Sequence, residues 1–484
     1  MKKAFLCFAL VLCLTLGLVV PAALSLHQAR DQVTVTSATT YGDHAQAAGL
    51  TAKQSAQYND HLRWDLTIPL DRPEDTATEF SYHQTLIGEP QPSHDLYMYV
   101  PNGTRFFHGS STLEDAVEGS PEQKPLLPMF QDVASRTPNG KRYSETVTLK
   151  DYVDCYPLAV DLGGLPYGVL HSGEGSAKDP FWDDFAISQA FQDFFSFPVP
   201  EDEAWTVTIE KDDQGNLLEL STECPYPVFS PNVISTFGED SLFFTFDQYS
   251  AANFEHTPGG FGLYRLGLVR EGASVFLDLD SLANIHPLPE NAVVLDLTDS
   301  CDGQTLLLTY CLGKDYTCEV LDPETMTVLQ SFPVPADPPS PVMVHTEDTQ
   351  GNEISYEETH WDLNGSLPGE NFLVLYGDAR FHLFSLENGT YTYEFSAPME
   401  EHMLYYPYEL LSGAWNGETL ALASVSESTT GLSLSMFEAG ELVYQGIYET
   451  SLNDAPVDQE NPDNSYYFDP VHLLSGSKLT LTWA

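Results

Sequence analysis

YTCEVLDPETMTVLQSF, residues Tyr316–Phe332, reads as two alternating runs joined by a tight polar turn at Asp322-Pro323-Glu324-Thr325. Alternation of period two puts successive side chains on opposite faces, so each run reads as a half-covered β-strand. The shape returns at Phe381–Phe395 (FHLFSLENGTYTYEF), turning at Asn388-Gly389, and at Leu432–Tyr444 (LSLSMFEAGELVY), turning at Ala439-Gly440. A weaker copy runs from Gly262 through Arg270-Glu271-Gly272 to Leu277. Each copy follows another apolar run, at Ser241–Phe246, Thr305–Tyr310, Phe372–Tyr376 and Thr419–Ala423. These leading runs recur roughly 47–67 residues apart, within or somewhat above the period of blade-type repeats.

The Asp322-Pro323-Glu324-Thr325 turn resembles the outer-strand turn of generic β-propeller blades of the quinoprotein and surface-repeat type, over about residues 230–484. That resemblance implies an all-β, β-propeller-like fold of about seven irregular blades. Stacked β-sandwiches are the alternative. WD dipeptides at blade positions are absent, which removes the WD40 class. The chain finishes with Leu479–Trp483, a strand-like run without followers, and in a closed repeat its partners are expected from the N-terminal part.

Five Asn-Gly dipeptides, at Asn102, Asn139, Asn364, Asn388 and Asn416, supply residues that tolerate positive φ and read as turns. Helical periodicity is scarce. Asp183–Phe195 places Phe185, Ile187, Phe191, Phe194 and Phe195 on one face and reads as an amphipathic core helix. Leu50–Gln54 is expected to open a second, short helix.

Lys2 and Lys3 precede an apolar run, Ala4–Leu26. Cations followed by apolar residues mark an export signal, and this run reaches the roughly 20 residues that cross a bilayer. The expected organisation is a cytoplasmic segment 1–3, an anchor at 4–26, a juxtamembrane segment 27–60 and an extracytoplasmic body 61–484. Cleavage after Ala22 or Ser25 would instead release a secreted protein. The stretches around Asp31–Thr36, Tyr41–Asp43, Ala47–Thr51 and Trp64-Asp65 resemble the start of a group of uncharacterised single-pass proteins from Gram-positive, Clostridia-like bacteria. The resemblance implies the membrane side of the reading and brings no activity with it.

Lys and Arg number 19 against 71 Asp and Glu, a net charge of −52. Such a charge repels phosphate backbones and anionic surfaces, so nucleic acid is excluded as a partner, and self-repulsion favours a monomer. Aromatic residues at 12% and apolar residues at 42% still provide a packed core, so the acidity is not disorder.

The chemistry of sites is sparse. No H-E-x-x-H, C-x-x-C, G-x-S-x-G or phosphate-loop pattern occurs, and no cofactor is expected. Asp296, Asp299 and Asp302, and the run Asp454–Asp469, are weak calcium candidates because hard cations take clustered carboxylates. They lack the ligand spacing of an EF-hand. If Lys314-Asp315 centres a hairpin, Cys311 and Cys318 stand opposite each other within disulfide range. The expected function is a membrane-tethered binding, sensing or scaffold module for a protein or glycan ligand. A carbohydrate-active or other hydrolase on the same fold is the alternative.

Overall fold

The repeated strand–turn–strand units form the last two strands of four-stranded antiparallel sheets, and their leading runs form the second strand. The computed structural model describes residues 33–484 apart from 59–61, 83–94, 102, 114–120, 164–183, 225–228, 230, 239, 248–251, 272–273, 348–352, 400–411, 426–430 and 455–478. The fold is all-β and propeller-like. The chain divides into two units, one from residues 1–89 and 336–484 and the other from 90–335.

Among the described residues, the first unit contains three of these sheets. Sheet 1 orders Leu479–Trp483, Leu50–Tyr58, Leu62–Pro69 and Ala77–Tyr82. Sheet 2 orders Gly365–Pro368, Phe372–Tyr376, Arg380–Glu387 and Thr390–Pro398. Sheet 3 runs Ser412–Trp415, Thr419–Val425, Leu432–Glu438 and Glu441–Thr450, and Val35–Gly42 adds a fifth strand. Ser340–Glu347 and Glu353–His360 make a separate two-stranded ribbon.

The expected closure is present. Leu50–Gln54 pairs with Leu479–Trp483, and Ala484 N–H donates to Gly49 O at 2.8 Å. Residues 33–58, expected in a juxtamembrane segment, therefore belong to the folded body. Leu50 opens a strand rather than a helix. Leu50, Ala52, Gln54 and Ala56 are buried while Lys53 is exposed, which is a period of two. Alanine favours helices in isolation, but here a small side chain suits a covered strand face, and tertiary packing overrides propensity.

Among the described residues, the second unit also holds three four-stranded sheets. Sheet 4 orders Gly103–Ser111, Leu217–Glu223, Ala204–Lys211 and Arg142–Thr148, so its connections are not a simple meander. Sheet 5 comprises Val233–Phe237, Ser241–Phe246, Gly262–Glu271 and Ser274–Pro287. Sheet 6 comprises Ala292–Asp299, Leu306–Leu312, Asp315–Leu321 and Val328–Val334. A ribbon pairs Asp95–Tyr99 with Ala159–Gly163.

Among the described residues, two α-helices accompany these sheets: α1, Leu127–Arg136, and α2, Asp184–Phe195. The second matches the expected amphipathic helix, although the Phe185 side chain lies outside the described residues. Ile187, Phe191 and Phe195 are fully buried. Phe195 meets Phe246 and Tyr264 edge-on at centroid distances of 5.2 and 5.0 Å. Phe191 stacks on Phe244 at 5.4 Å. Such ring pairs add about 0.5–1.5 kcal/mol each beyond their area burial.

Turn chemistry follows the sequence where positive φ is needed. Asn388 and Gly389, at φ 50° and 76°, form the two-residue turn of sheet 2. Ala439 and Gly440 repeat it in sheet 3 at 49° and 88°, with alanine in the left-handed region. Asp322 Oδ1 accepts the Glu324 and Thr325 N–H groups at 2.9 and 2.8 Å, which fixes the longer turn of sheet 6. Asn416 acts similarly, accepting from Glu418 and Thr419. Asn364 instead leads into a strand, and Asn102 lies outside the described residues. So do residues 1–32; among the described residues, no helix is long and apolar enough to cross a membrane.

Candidate functional site

Sheet 6 carries most of the residues singled out in the sequence. Its second hairpin closes one residue earlier than expected, because Leu312 pairs with Asp315 around Gly313-Lys314. Gly313 has φ 69° at the first central position, where a type II′ turn requires glycine. The register therefore corrects the cysteine expectation. Cys311 stands opposite Tyr316 and Cys318 opposite Thr309, so the two are diagonal and remain free thiols. Burial pushes Cys311 up to about 11, with Asp315 adding to it, and burial pushes Cys318 up to about 12.

The calcium candidates are also drawn apart. Asp299 Oδ1 accepts from Thr236 Oγ1 at 3.1 Å, on the neighbouring sheet of the same unit. Asp302 Oδ1 accepts from Ser300 Oγ at 2.7 Å and Gln304 N–H at 3.0 Å, and the Ser300 bond leads the causes that hold its pKa low. Asp296 sits mid-strand opposite Thr309. These carboxylates shape a turn and brace a sheet instead of converging on one ion. Among the described residues, no group of three or more His, Cys, Asp or Glu side chains is arranged to hold a metal. The Asp454–Asp469 cluster lies beyond the described residues except for its first member.

The structure assembles a constellation that sequence spacing does not reveal. His286, near the end of the last strand of sheet 5, places Nε2 2.8 Å from Glu319 Oε2 on the third strand of sheet 6. Tyr310 O–H donates to Glu319 Oε1 at 3.0 Å from the second strand. Tyr310 and Glu319 share a face because Tyr310 opposes Thr317, two residues from Glu319. His286 and Glu319 are only 18% and 13% exposed, so the pair is poorly screened. The His286 hydrogen bond, partly offset by burial and aided by Tyr310, holds the Glu319 carboxyl low. Burial first, then the Glu319 charge, raises Tyr310 to about 12.

This array can bind charge and fix two sheets to each other. A carboxylate with a depressed pKa stays ionised and accepts hydrogen bonds; it is a poor proton donor near neutrality. The same direction recurs elsewhere. Asp132, Asp212, Asp322 and Asp362, like Asp302 and Glu319, are displaced downward. The buried Glu203 carboxylate, 4% exposed, accepts from Trp205 Nε1 at 3.0 Å within the aromatic core of the second unit.

In the first unit a polar chain ties early and late segments together. His44 Nδ1 lies 3.2 Å from Tyr444 O–H and its Nε2 3.2 Å from Asp71 O. Tyr444 and Tyr448 hydroxyls are 3.0 Å apart, and Tyr448 donates to Leu70 O at 2.9 Å.

No protein-family model matches this chain, and no curated protein matches it. Solved structures with similar folds include a putative 6-phosphogluconolactonase from Bacteroides uniformis, at 10% identity and a TM-score of 0.28, covering 83% of this chain and 99% of that one. The periplasmic gluconolactonase of Pseudomonas aeruginosa is 15% identical, with a TM-score of 0.21 over 51% of this chain and 78% of its own. The β-propeller domain of Cps50 from Myceliophteria thermophila gives 10% and 0.23, over 51% and 69%. At these TM-scores the similarities have no bearing on substrate or mechanism.

Proposed function

We propose that this chain is a membrane-tethered, extracytoplasmic binding, sensing or scaffold module. The observation that carries the reading is the His286–Glu319–Tyr310 array, in which both oxygens of a largely buried carboxylate are engaged by neighbouring side chains. A hydrolase of the two-carboxylate type needs one acid held protonated by a raised pKa, and downward shifts provide acceptors instead. The apolar run Ala4–Leu26 behind Lys2 and Lys3 supports tethering with the body outside, and the net charge of −52 supports a soluble monomer that avoids nucleic acid. Its ligand is a protein or a glycan.

The test has two arms. Protease added to intact cells should digest the chain beyond residue 32, and full protection would refute the topology. Purified protein should bind members of a glycan array or an envelope extract without converting them. Turnover of a glycoside or lactone panel would replace the binding reading with the hydrolase.

A further inference from the structure

Sheet 2 has an unusual polar centre. Ser366, Leu375, His382 and Ser396 form one row across its four strands, so their side chains share a face. One step along, Asn364 and Arg380 flank Gly377, through Asn364 N–H to Tyr376 O at 2.9 Å and Gly377 N–H to Arg380 O at 3.0 Å. Glycine is required at that step, since a Cβ on Gly377 would collide with the Asp362 backbone carbonyl. The missing side chain lets Asp362 lie over the sheet beside His382.

His382 is fully buried, yet neither ring nitrogen hydrogen-bonds a protein group. Asp362 Oδ2 lies 3.9 Å from His382 Nε2, too far for a direct hydrogen bond. That oxygen already accepts from Asp337 N–H at 2.7 Å. Ser366 Oγ and Asn364 Oδ1 are likewise buried and unbonded, although Asn364 Nδ2 donates to Asp378. Four such atoms thus gather on one face of one sheet. Buried polar atoms are normally satisfied, and a water molecule suits a site with roughly three partners of mixed donor and acceptor character.

We propose that this face of sheet 2 is a binding site for ordered water, bridging the His382 ring to Asp362 and Ser366. The site joins the start of the 336–484 segment at Asp337, the lead-in to the first strand at Asp362, and the third strand at His382. The solvent acts here as a structural component fixing three stretches of chain.

The test is a high-resolution crystal structure of the full chain with nitrogen-15 NMR of His382. The expected result is density at hydrogen-bond distance from His382 and Asp362. In His382→Leu that density is lost while thermal unfolding stays cooperative; His382→Gln, with its donor and acceptor, retains it. A dry site would overturn the proposal. So would an ion at metal-ligand distance, or an imidazolium in direct contact with Asp362. If His382→Leu does not fold, the native density and the ring protonation state decide alone.

Discussion

Leu481→Ala probes the strand on which sheet 1 depends. Leu481 is 4% exposed and packs with Trp64, Leu66, Leu434 and Tyr444 in one apolar cluster. Its N–H donates to Ser412 Oγ at 3.0 Å, and Trp483 Nε1 donates to Ala414 O at 3.3 Å. Truncation removes about three carbon groups, worth roughly 0.8 kcal/mol each. A cavity contribution raises the loss to about 2.5–4 kcal/mol, within the usual range for buried leucine. The backbone pairing to Leu50–Gln54 survives, so the loss measures packing and not strand formation. Thr480→Ala, at an exposed neighbour on the same strand, is the control and is expected within about 0.5 kcal/mol of wild type. Urea unfolding followed by tryptophan fluorescence should show a midpoint lower by on the order of 1 M for Leu481→Ala alone. Equal midpoints for the two variants would refute the burial of this strand's inner face in the core of the first unit.

Ala439→Asn should stabilise the chain by about 0.5–1 kcal/mol, because asparagine tolerates the left-handed conformation that alanine holds at a cost. Gly440→Ala should do the opposite, since φ is 88° and the new Cβ would lie 2.8 Å from Ser396 O; thermal melts separate the two. Glu319→Gln should cost about 1–3 kcal/mol at pH 7 by leaving His286 without its carboxylate partner. The folded Glu319 pKa lies below the unfolded value, so its stabilisation is complete above about pH 4.5 and fades as pH falls through the folded value. The difference between wild type and variant in urea titrations should therefore narrow as pH is lowered from 7 to 3. Alkylation of the native protein should label exposed Cys301 first and reach Cys311 and Cys318 only on unfolding, with no oxidative cross-link between those two; peptide mass spectrometry reads both results.

The hairpins of sheets 2, 3, 5 and 6 were legible because alternation and turn residues are local. Phe372–Tyr376 was legible for another reason: all five residues are buried, so the run is apolar throughout. The register of the Cys311–Cys318 hairpin was not, because shifting the turn by one residue preserves every local pattern while changing which side chains meet. Helix α1 escaped for a related reason. Its buried residues Met129, Phe130, Val133 and Ala134 occupy little more than one turn's spacing, and Pro128 reads locally as a breaker although it sits in the first turn. The His286–Glu319 pair had no sequence signal, since its members lie 33 residues apart on different sheets and are ordinary residue types. The left-handed Ala439 was equally hidden, though Gly440 beside it marks the turn.

The pairing of early with late strands sets a timetable for folding. Thr34 hydrogen-bonds Ser451, 417 residues away, and at about 5–20 residues per second synthesis of that interval takes about 20–80 s. Throughout, Val35–Gly42 and Leu50–Tyr58 exist without the partners that cover their edges. Their sequences suit such a wait: Val35–Gly42 is rich in threonine and serine, and the outward positions of Leu50–Tyr58 include Lys53. The nascent chain thus carries these uncovered strand edges through that interval, and the polar character of those first strands lessens the aggregation hazard.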